Sequence, residues 1–264
     1  MIACHGMAEQ RRWITSCVKI EYAKLSLVGK RKDNQDRVAI AIGDEAALLM
    51  VFDGMGGHAG GADAAETALA AVQEIFLATP QPIFDAQGFL YRAISAAHDA
   101  VVQMGSEVDV DDRPRATCAV CLVQDESCYW VHVGDSRIYL MRDEAVAQVT
   151  RDHSHVEVLI HEGVISRSEA LDHPMRNYVE SCLGGDDALP GITVSRKHGL
   201  YPGDVLLLCS DGLWSGLTDE EIVELSYQTS MPFPTVLKVM CDLAIKNNGR
   251  RADNTSVAAL RWVD

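Results

Sequence analysis

The sequence predicts an α+β domain in which antiparallel strands form the interior and helices cover the outside. Three short runs rich in β-branched and aromatic residues, at 120–123, 129–133 and 138–141, follow one another too closely for parallel pairing. Before them, two segments at 65–76 and 88–104 place their apolar residues on one helical face. Closely spaced strands that follow amphipathic helices indicate antiparallel sheets flanked by helices.

The first part of the chain is predicted to be an extension leading into one domain. Residues 1–16 form this N-terminal extension, and 17–264 form a single domain without repeats, linkers or low-complexity segments. Val18–Tyr22 alternates apolar and polar residues, which predicts a half-exposed strand. Residues 134–136, between the predicted strands 129–133 and 138–141, are predicted to form a hairpin turn.

Residues 156–183 interrupt the strand pattern and are predicted to be a small helical insertion. Two short helical patterns are separated at Gly163, and the second begins with a capping box formed by Ser166 and Glu169. A proline at position 174 ends it.

The C-terminal part returns to alternating strands and helices. The apolar run 205–209 predicts a strand buried on both faces, and 257–263 predicts the last strand. Between them, Thr218 and Glu221 form the signature of a capped helix, and Pro234 begins a longer amphipathic helix.

Charge and cysteine content limit the partners that this chain can bind. The 264 residues carry a formal charge of −15, which argues against nucleic acid and anionic membranes as partners. Its 8 cysteines are scattered and no long apolar leader precedes the domain, so a reducing cytoplasm is predicted. Cys118 and Cys121 form a C-x-x-C pattern, but no second ligand pair accompanies it, which favours packing over metal binding.

Aspartates stand at the ends of the apolar runs. Asp53 and Asp211 each follow a buried run and precede a glycine, and Asp135 and Asp253 flank further strand-like segments. One Asp-Gly alone normally marks a turn. Several carboxylates at the boundary of a core, however, repel one another unless a cation holds them. Oxygen ligands suit magnesium, manganese or calcium, whereas zinc recruits cysteine or histidine.

The ordered set of motifs resembles the metal-dependent serine/threonine protein phosphatases of the type 2C family, above all the bacterial members. The resemblance runs from about Tyr22 to Val263 and implies a catalytic domain built as a four-layer α/β/β/α sandwich of two antiparallel sheets. It also implies that 156–183 is a mobile flap beside the active site. The motifs that carry it lie at 31–36, 51–58, 134–137, 210–212 and 253–254.

The resemblance implies a centre with two core Mn²⁺ or Mg²⁺ ions and a third, weaker site. Asp53 would bridge the core ions, the carbonyl of Gly54 would bind one, and Asp211 and Asp253 would bind the other. In this arrangement a hydroxide shared by the two ions attacks phosphorus in line.

Four further residues have roles implied by the same resemblance. Asp36 would act through metal-bound water, and Asp135 would join Asp211 at the third site. Arg31 would hold the substrate phosphate as a bidentate donor. His58 would protonate the leaving seryl or threonyl oxygen, a role that suits an imidazole with a pKa near ~6.5.

The predicted function is metal-dependent hydrolysis of phosphoserine and phosphothreonine in proteins, by a cytoplasmic monomer that opposes a bacterial serine/threonine kinase. One alternative is a catalytically silent family member that serves as a regulatory binding module; the retention of the metal acids together with Arg31 and His58 argues against it. A metal-dependent nuclease is a second alternative, and the net charge of −15 disfavours it.

The chain departs from the family pattern at three places. Gln35 stands where many relatives carry Glu, and 116–118 read Ala-Thr-Cys instead of Gly-Thr-Thr. The loop 250–252, just before Asp253, is one residue longer than usual. None of these differences removes a core metal acid.

Overall fold

Two antiparallel sheets stack face to face, and helices cover the outer face of each. The computed structural model describes residues 11–15, 18–55, 60–107, 109–170 and 172–263. Three apolar clusters fill the spaces between the layers: one lies between the sheets and one lies beneath each helical layer. The α/β/β/α architecture implied by the family resemblance is therefore confirmed.

The first sheet contains six antiparallel strands. In spatial order they are β1 (Arg11–Thr15), β2 (Val18–Leu27), β13 (Thr255–Val263), β12 (Val205–Cys209), β7 (Arg137–Arg142) and β8 (Ala145–Val149). β1 pairs along β2, so this part of the predicted N-terminal extension is an edge strand of the sheet.

The second sheet contains seven strands. Its main path is β10 (Thr193–Val194), β6 (Ser127–Val133), β5 (Arg115–Gln124), β4 (Ala47–Met55) and β3 (Asp36–Ile42); β9 (Leu183–Gly184) pairs with β5, and β11 (His198–Gly199) pairs with β6. The long apolar runs of the sequence form the central strands, where neighbouring strands satisfy both edges and both faces are covered.

The helices of the described residues follow the apolar patterns of the sequence. They are α1 (Gly60–Ala78), α2 (Ala86–Met104), α3 (His155–His161), α4 (Arg167–Ala170), α5 (Asp211–Trp214), α6 (Asp219–Ser226) and α7 (Phe233–Asn248), with 3₁₀ turns at Val110–Asp112 and Gly249–Arg251. The predicted capping box of α6 is present, since the Thr218 side chain accepts from the Glu221 backbone and Glu221 reaches back to Thr218. No helix in the described ranges has the length and apolar character needed to cross a membrane.

Strand β4 shows how one continuous apolar run serves two cores. Leu48, Met50 and Phe52 pack beneath α1 and α2, while Leu49 and Val51 pack between the sheets. Side chains alternate across a strand, so a strand covered on both faces must be apolar at every position. The run ends where the chain leaves these cores, and Asp53 is its first charged residue.

The two cysteines of the C-x-x-C pattern lie on opposite faces of β5, as expected for packing residues. Cys118 belongs to the cluster beneath α1 and α2, and Cys121 belongs to the cluster between the sheets. Both are free thiols, and burial raises the pKa of Cys118 to about 12. Neither is positioned to share a metal with the other.

The predicted hairpin at 134–136 is wrong. β6 already pairs with β5 on one side and with β10 and β11 on the other, so no edge of β6 is open to β7. β7 pairs instead with β12 and β8 in the opposite sheet. The segment between β6 and β7 therefore crosses from one sheet to the other, with Gly134 at φ +96° allowing the sharp turn.

The insertion predicted at 156–183 contains the two expected short helices, α3 and α4. Ser166 and Glu169 form the reciprocal hydrogen bonds of a capping box. No residue of α3 is buried. An isolated bridge between Ser154 and Val179 closes the base of the insertion.

Candidate metal and phosphate site

A cleft of about 590 Å³ opens at one end of the sandwich, where β4, β12 and β13 begin or end. The loop before β3 contributes residues 30–33 and 35 to its lining, and the insertion contributes Asn177 and Val179. Its lining includes five predicted site residues and one predicted carbonyl ligand: Arg31, Asp53, Asp135, Asp211, Asp253 and Gly54. The structure thus brings together groups that are distant in the sequence.

Asp36 lies behind the cleft and is almost fully buried. It pairs directly across from Asp53 in the β3–β4 ladder, which places the two carboxylate-bearing residues side by side. The Ser210 hydroxyl donates to Asp36 Oδ2 at 2.7 Å, and Oδ1 has no hydrogen-bond partner among the described residues. Burial is the main cause that raises the pKa of Asp36 to about 6, and hydrogen bonds partly oppose it.

Asp53 and Asp211 form the centre of the acidic group. Burial, followed by the charges of neighbouring aspartates, raises the pKa of each well above its usual value. Asp211 is the first residue of the short helix α5, and its Oδ1 is buried without a hydrogen-bond partner in the described structure. The charge of Asp211 therefore makes the charged form of Asp53 less favourable, and Asp135 and Asp253 do the same for Asp211.

Asp135 is placed by the crossing segment between the sheets. Its carbonyl accepts a hydrogen bond from the Trp214 indole at 2.9 Å, and Arg137 stacks on the same indole with its Cζ 3.8 Å from the ring centre. Arg137 is in turn held by a bidentate ion pair with Asp152. Burial first, then the charge of Asp152, raises the pKa of Asp135 to about 7.

Arg31 and Asp253 form an ion pair at the mouth of the cleft. Arg31 Nη2 donates to Asp253 Oδ2, and this hydrogen bond is the main cause that raises the pKa of the guanidinium. The charges of Asp211 and Asp53 raise it further. Arg31 is 59% exposed, so its charge faces both the acids and the solvent.

Asn254 joins the loop that carries Arg31 to the start of β13. Its Oδ1 accepts from the Gln35 backbone at 2.8 Å, and its Nδ2 donates to the carbonyls of Val28 and Asp33. These three side-chain hydrogen bonds all fix backbone around the cleft. The sequence indicates Asn254 only as part of the motif at 253–254; an asparagine directly before a predicted strand is the one signal that points to this positioning role.

The backbone at Gly54 is in close contact with the beginning of α1. A Cβ on Gly54 would lie 1.9 Å from the Gly61 carbonyl oxygen and 2.9 Å from that of Gln35. Only glycine fits this approach. The Gly54 amide also donates to the Gln35 carbonyl at 3.2 Å, which ties the Asp53 turn to the loop before β3.

The donor set fits a hard divalent cation. The acids are crowded, they raise one another's pKa, and two of their buried oxygens lack hydrogen-bond donors within the described ranges. In the same ranges, no three His, Cys, Asp or Glu side chains converge into a ready-made ion shell. An ion bound here would therefore complete its ligands with water, as Mg²⁺ usually does, and with backbone carbonyls such as that of Gly54.

One predicted site residue, His58, lies outside the described residues, together with the neighbouring positions 56, 57 and 59. The described chain resumes at Gly60, the first residue of α1. The role of this residue as general acid therefore stays a prediction from its place in the sequence, five residues after Asp53.

Comparisons with known proteins point to one family. The family model for protein phosphatase 2C matches residues 27–247. Over 252 residues the chain is 32% identical to the serine/threonine protein phosphatase PstP of Mycobacterium tuberculosis, covering 92% of this chain and 46% of that protein. The chain therefore spans about half the length of this curated relative.

Solved structures agree with the sequence comparison. The serine/threonine phosphatase of S. agalactiae superposes with a TM-score of 0.85 at 25% identity, covering 93% of this chain and 100% of that one. The catalytic domain of PstP in complex with two manganese ions superposes with a TM-score of 0.75 at 30% identity, covering 94% and 99%. The fold, the ordered motifs and the matched length lead to one conclusion: this chain belongs to the protein phosphatase 2C family.

Proposed function

We propose that this chain hydrolyses phosphoserine and phosphothreonine in proteins and that it requires two Mn²⁺ or Mg²⁺ ions to do so. The observation that carries the proposal is the crowding of carboxylates at the cleft, chiefly Asp53 and Asp211, whose pKa values are raised by burial and by neighbouring aspartates and so reflect a strong local demand for positive charge. Relatives named as serine/threonine phosphatases, one of them solved with manganese, supply the chemical class.

Six residues are proposed to hold the ions. When bound, two such ions activate water and neutralise the charge of the phosphate. Asp53 and the Gly54 carbonyl would bind the first ion. Asp211 and Asp253 would bind the second. The full proposed set is Asp53, Gly54, Asp211 and Asp253 directly, Asp36 through water, and Asp135 at a third position.

Arg31 is proposed to bind the phosphate of the substrate. Its guanidinium is exposed at the mouth of the cleft and already engages a carboxylate, Asp253, in the geometry that a phosphate oxygen would use. A bound phosphate would compete with Asp253 for this donor. His58 is proposed to give the proton to the leaving oxygen, because it follows Asp53 by five residues in the sequence and an imidazole suits a general acid near neutral pH.

An assay with two substrates tests the proposed function. We expect turnover of para-nitrophenyl phosphate and of a phosphothreonine peptide with Mn²⁺, and none with chelator. Absence of manganese-dependent turnover of either substrate would instead favour the catalytically silent binding module. Cleavage of a nucleic acid in place of both would favour the nuclease.

Arg31→Ala is expected to lower kcat/KM for the phosphopeptide by about 10²-fold, because a charge-assisted bidentate contact to phosphate is lost. Arg31→Lys is expected to recover part of this loss, since lysine keeps the charge but not the planar fork. The thermal midpoint of the protein should barely change, because exposed ion pairs contribute little stability.

Lys30→Ala is the matched control for Arg31. Lys30 is exposed and lines the same cleft, and it precedes Arg31 in the same basic run. Its removal is expected to lower kcat/KM less than threefold. Equal losses in the two alanine variants would mean that only the general charge of the run matters.

The insertion at 156–183 is proposed to act as a flap that selects phosphoproteins. Asn177 and Val179 line the cleft, while α3 buries no residue, so the segment contacts the site and its first helix adds nothing to the core. Replacing 160–170 by a short Gly-Ser linker is expected to lower activity toward phosphoproteins at least fivefold and toward para-nitrophenyl phosphate less than twofold. Equal losses on both substrates would argue against selection by the flap.

Two cellular aspects belong to the same proposal. A serine/threonine kinase that phosphorylates the same proteins would be the natural counterpart of this activity. A reducing cytoplasm agrees with the free state of all six cysteines in the described ranges.

A further inference from the structure

A second cleft, of about 340 Å³, lies at the other end of the sandwich from the acidic site. β7 shows the separation: Arg137 pairs with Cys209 beside the acidic end, and Arg142 lies five residues further along the strand. Five residues of strand span roughly 16 Å. The lining consists of Leu140, Arg142, Ala147, Gln148, Arg196, Lys197, His198, Gly199 and Tyr201.

A β-bulge shapes one wall of this cleft. Val194 pairs with Val131 and His198 pairs with Cys128, so the three residues 195–197 lie opposite only two residues of β6. Such an extra residue redirects the side chains of the bulged strand. The bulge is anchored by its first residue, because Ser195 donates its amide to the Trp130 carbonyl and accepts from the Trp130 amide through its hydroxyl.

The bulge places two unneutralised cations at the cleft. Arg196 and Lys197 are both exposed, and neither has an ion-pair partner in the part of the chain that the structure describes. No acidic residue lines the cleft, although the chain has 38 acidic residues and a charge of −15. The charges of Arg196 and Arg142, after burial, lower the pKa of His198, which indicates a positive local potential.

The rest of the wall is rigid. Arg142 is held by the buried carboxylate of Asp204 and lies 4.4 Å over the ring of Tyr201. The ring of His198 stacks on Trp130 with centroids 4.1 Å apart. Two cations without partners therefore project from a preformed wall, an arrangement that lowers the ordering cost of binding a ligand.

We propose that this cleft binds an acidic segment, rich in aspartate and glutamate, of a partner protein. Arg196 and Lys197 would bind its carboxylates directly, the first with its planar donor fork and the second as a point charge. The volume suits a few residues of an extended chain, since ligand pockets span about 300 to 1,000 Å³. The proposal is independent of the catalytic function, because no residue of this cleft lines the acidic site.

An acidic peptide is a stringent probe, because the net charge of −15 opposes its approach to the chain as a whole. We expect a fluorescein-labelled peptide of alternating Glu and Asp, ten residues long, to bind the full chain in a fluorescence-anisotropy titration at low salt. The double variant Arg196→Glu/Lys197→Glu should weaken binding at least tenfold, and added salt should weaken it as well. The melting temperature of this double variant and its turnover of para-nitrophenyl phosphate should match those of the unmodified chain.

A matched variant reverses two charges elsewhere. Lys238→Glu/Lys246→Glu changes the net charge equally on the exposed face of α7 and should leave peptide binding within twofold. Equal weakening by both variants, or no binding to the unmodified chain at millimolar protein, would overturn the proposal. A single-stranded DNA oligonucleotide that binds more tightly than the peptide, and depends on Arg196 and Lys197, would overturn it as well.

Discussion

Asp211→Asn is expected to abolish manganese-dependent turnover while leaving the metal-free protein at least as stable as before. Loss of a direct ligand should lower kcat/KM by about 10³-fold or more, since ligand and charge are removed from the nucleophile-activating centre. Stability should move the other way in chelator, because the charged form of Asp211 is disfavoured by burial and by Asp135 and Asp253. An amide of the same shape removes that repulsion. The readouts are para-nitrophenyl phosphate kinetics across a Mn²⁺ titration and melting temperature with chelator.

Asp204→Asn provides the matched control at the far end of the sandwich. Asp204 is buried, and it forms a bidentate pair with Arg142 and accepts from the Tyr201 amide. The same chemical change should therefore lower the melting temperature by several degrees and keep the turnover. If Asp211→Asn keeps more than a tenth of the activity, or melts lower than Asp204→Asn in chelator, Asp211 does not have the proposed role.

Local pattern was enough to predict most elements of the fold. The strand at 205–209 is buried on both faces and is therefore apolar throughout. The capping-box pattern of Thr218 and Glu221 predicts the beginning of α6. The aspartates were identifiable for a related reason: Asp53 and Asp211 end apolar runs, and the end of a buried strand is where a charge first meets an open edge. Periodicity alone thus located both the core and the acids at its boundary.

Long-range pairing could not be predicted in the same way. Residues 134–136 have the composition of a hairpin turn, and only the pairing of β6 with β10 and β11, some 60 residues later in the chain, prevents it. The bonds of Asn254 reach 221 and 226 residues back, to Asp33 and Val28. The ion pair of Arg31 with Asp253 spans 222 residues. No local pattern carries such information, because each partner has an ordinary composition for its own loop.

The bulge at 195–197 likewise could not be predicted from the local sequence. Its sequence, Ser-Arg-Lys, is typical of a solvated loop. The extra residue opposite β6 is defined only by the pairing of β10 and β11 with β6 on either side of it. The second cleft, with its unneutralised cations, could therefore be found only in the folded chain.

Metal-free protein is expected to lose stability as the pH rises from 6.5 to 8. The pKa of Asp135 is raised to about 7 and that of Asp36 to about 6, mainly by burial, against about 3.9 in an unfolded chain. A raised folded-state pKa means that the native state holds the proton longer, so the stabilisation is complete at low pH and is lost as the pH rises through the folded value. Asp53 and Asp211, also raised, act in the same direction.

The window must lie above pH 6.5 because the buried His132 and the half-buried His153 act in the opposite sense below it. Burial lowers the pKa of His132, and burial together with His132 lowers that of His153 to about 4. Their contribution is complete above the unfolded value of about 6.5 and is lost as the pH falls toward the folded one. At pH 6.5 the unfolded histidines are still about half protonated, so their opposing slope fades as the pH rises through the window, whereas the slope from Asp53 and Asp211 persists.

Saturating Mn²⁺ is expected to reverse this slope. An ion binds the deprotonated carboxylates, so it removes the cost of ionising them and its own binding strengthens as the pH rises. Each proton released on unfolding contributes about 1.4 kcal/mol per pH unit, which corresponds to several degrees of melting temperature over the window. Melting curves at pH 6.5, 7.25 and 8, with chelator and with Mn²⁺, measure both slopes, and Asp211→Asn should flatten both. A melting temperature that stays constant or rises with pH in chelator would mean that the acids are already compensated within the chain, and the demand for a cation at this cleft would disappear with it.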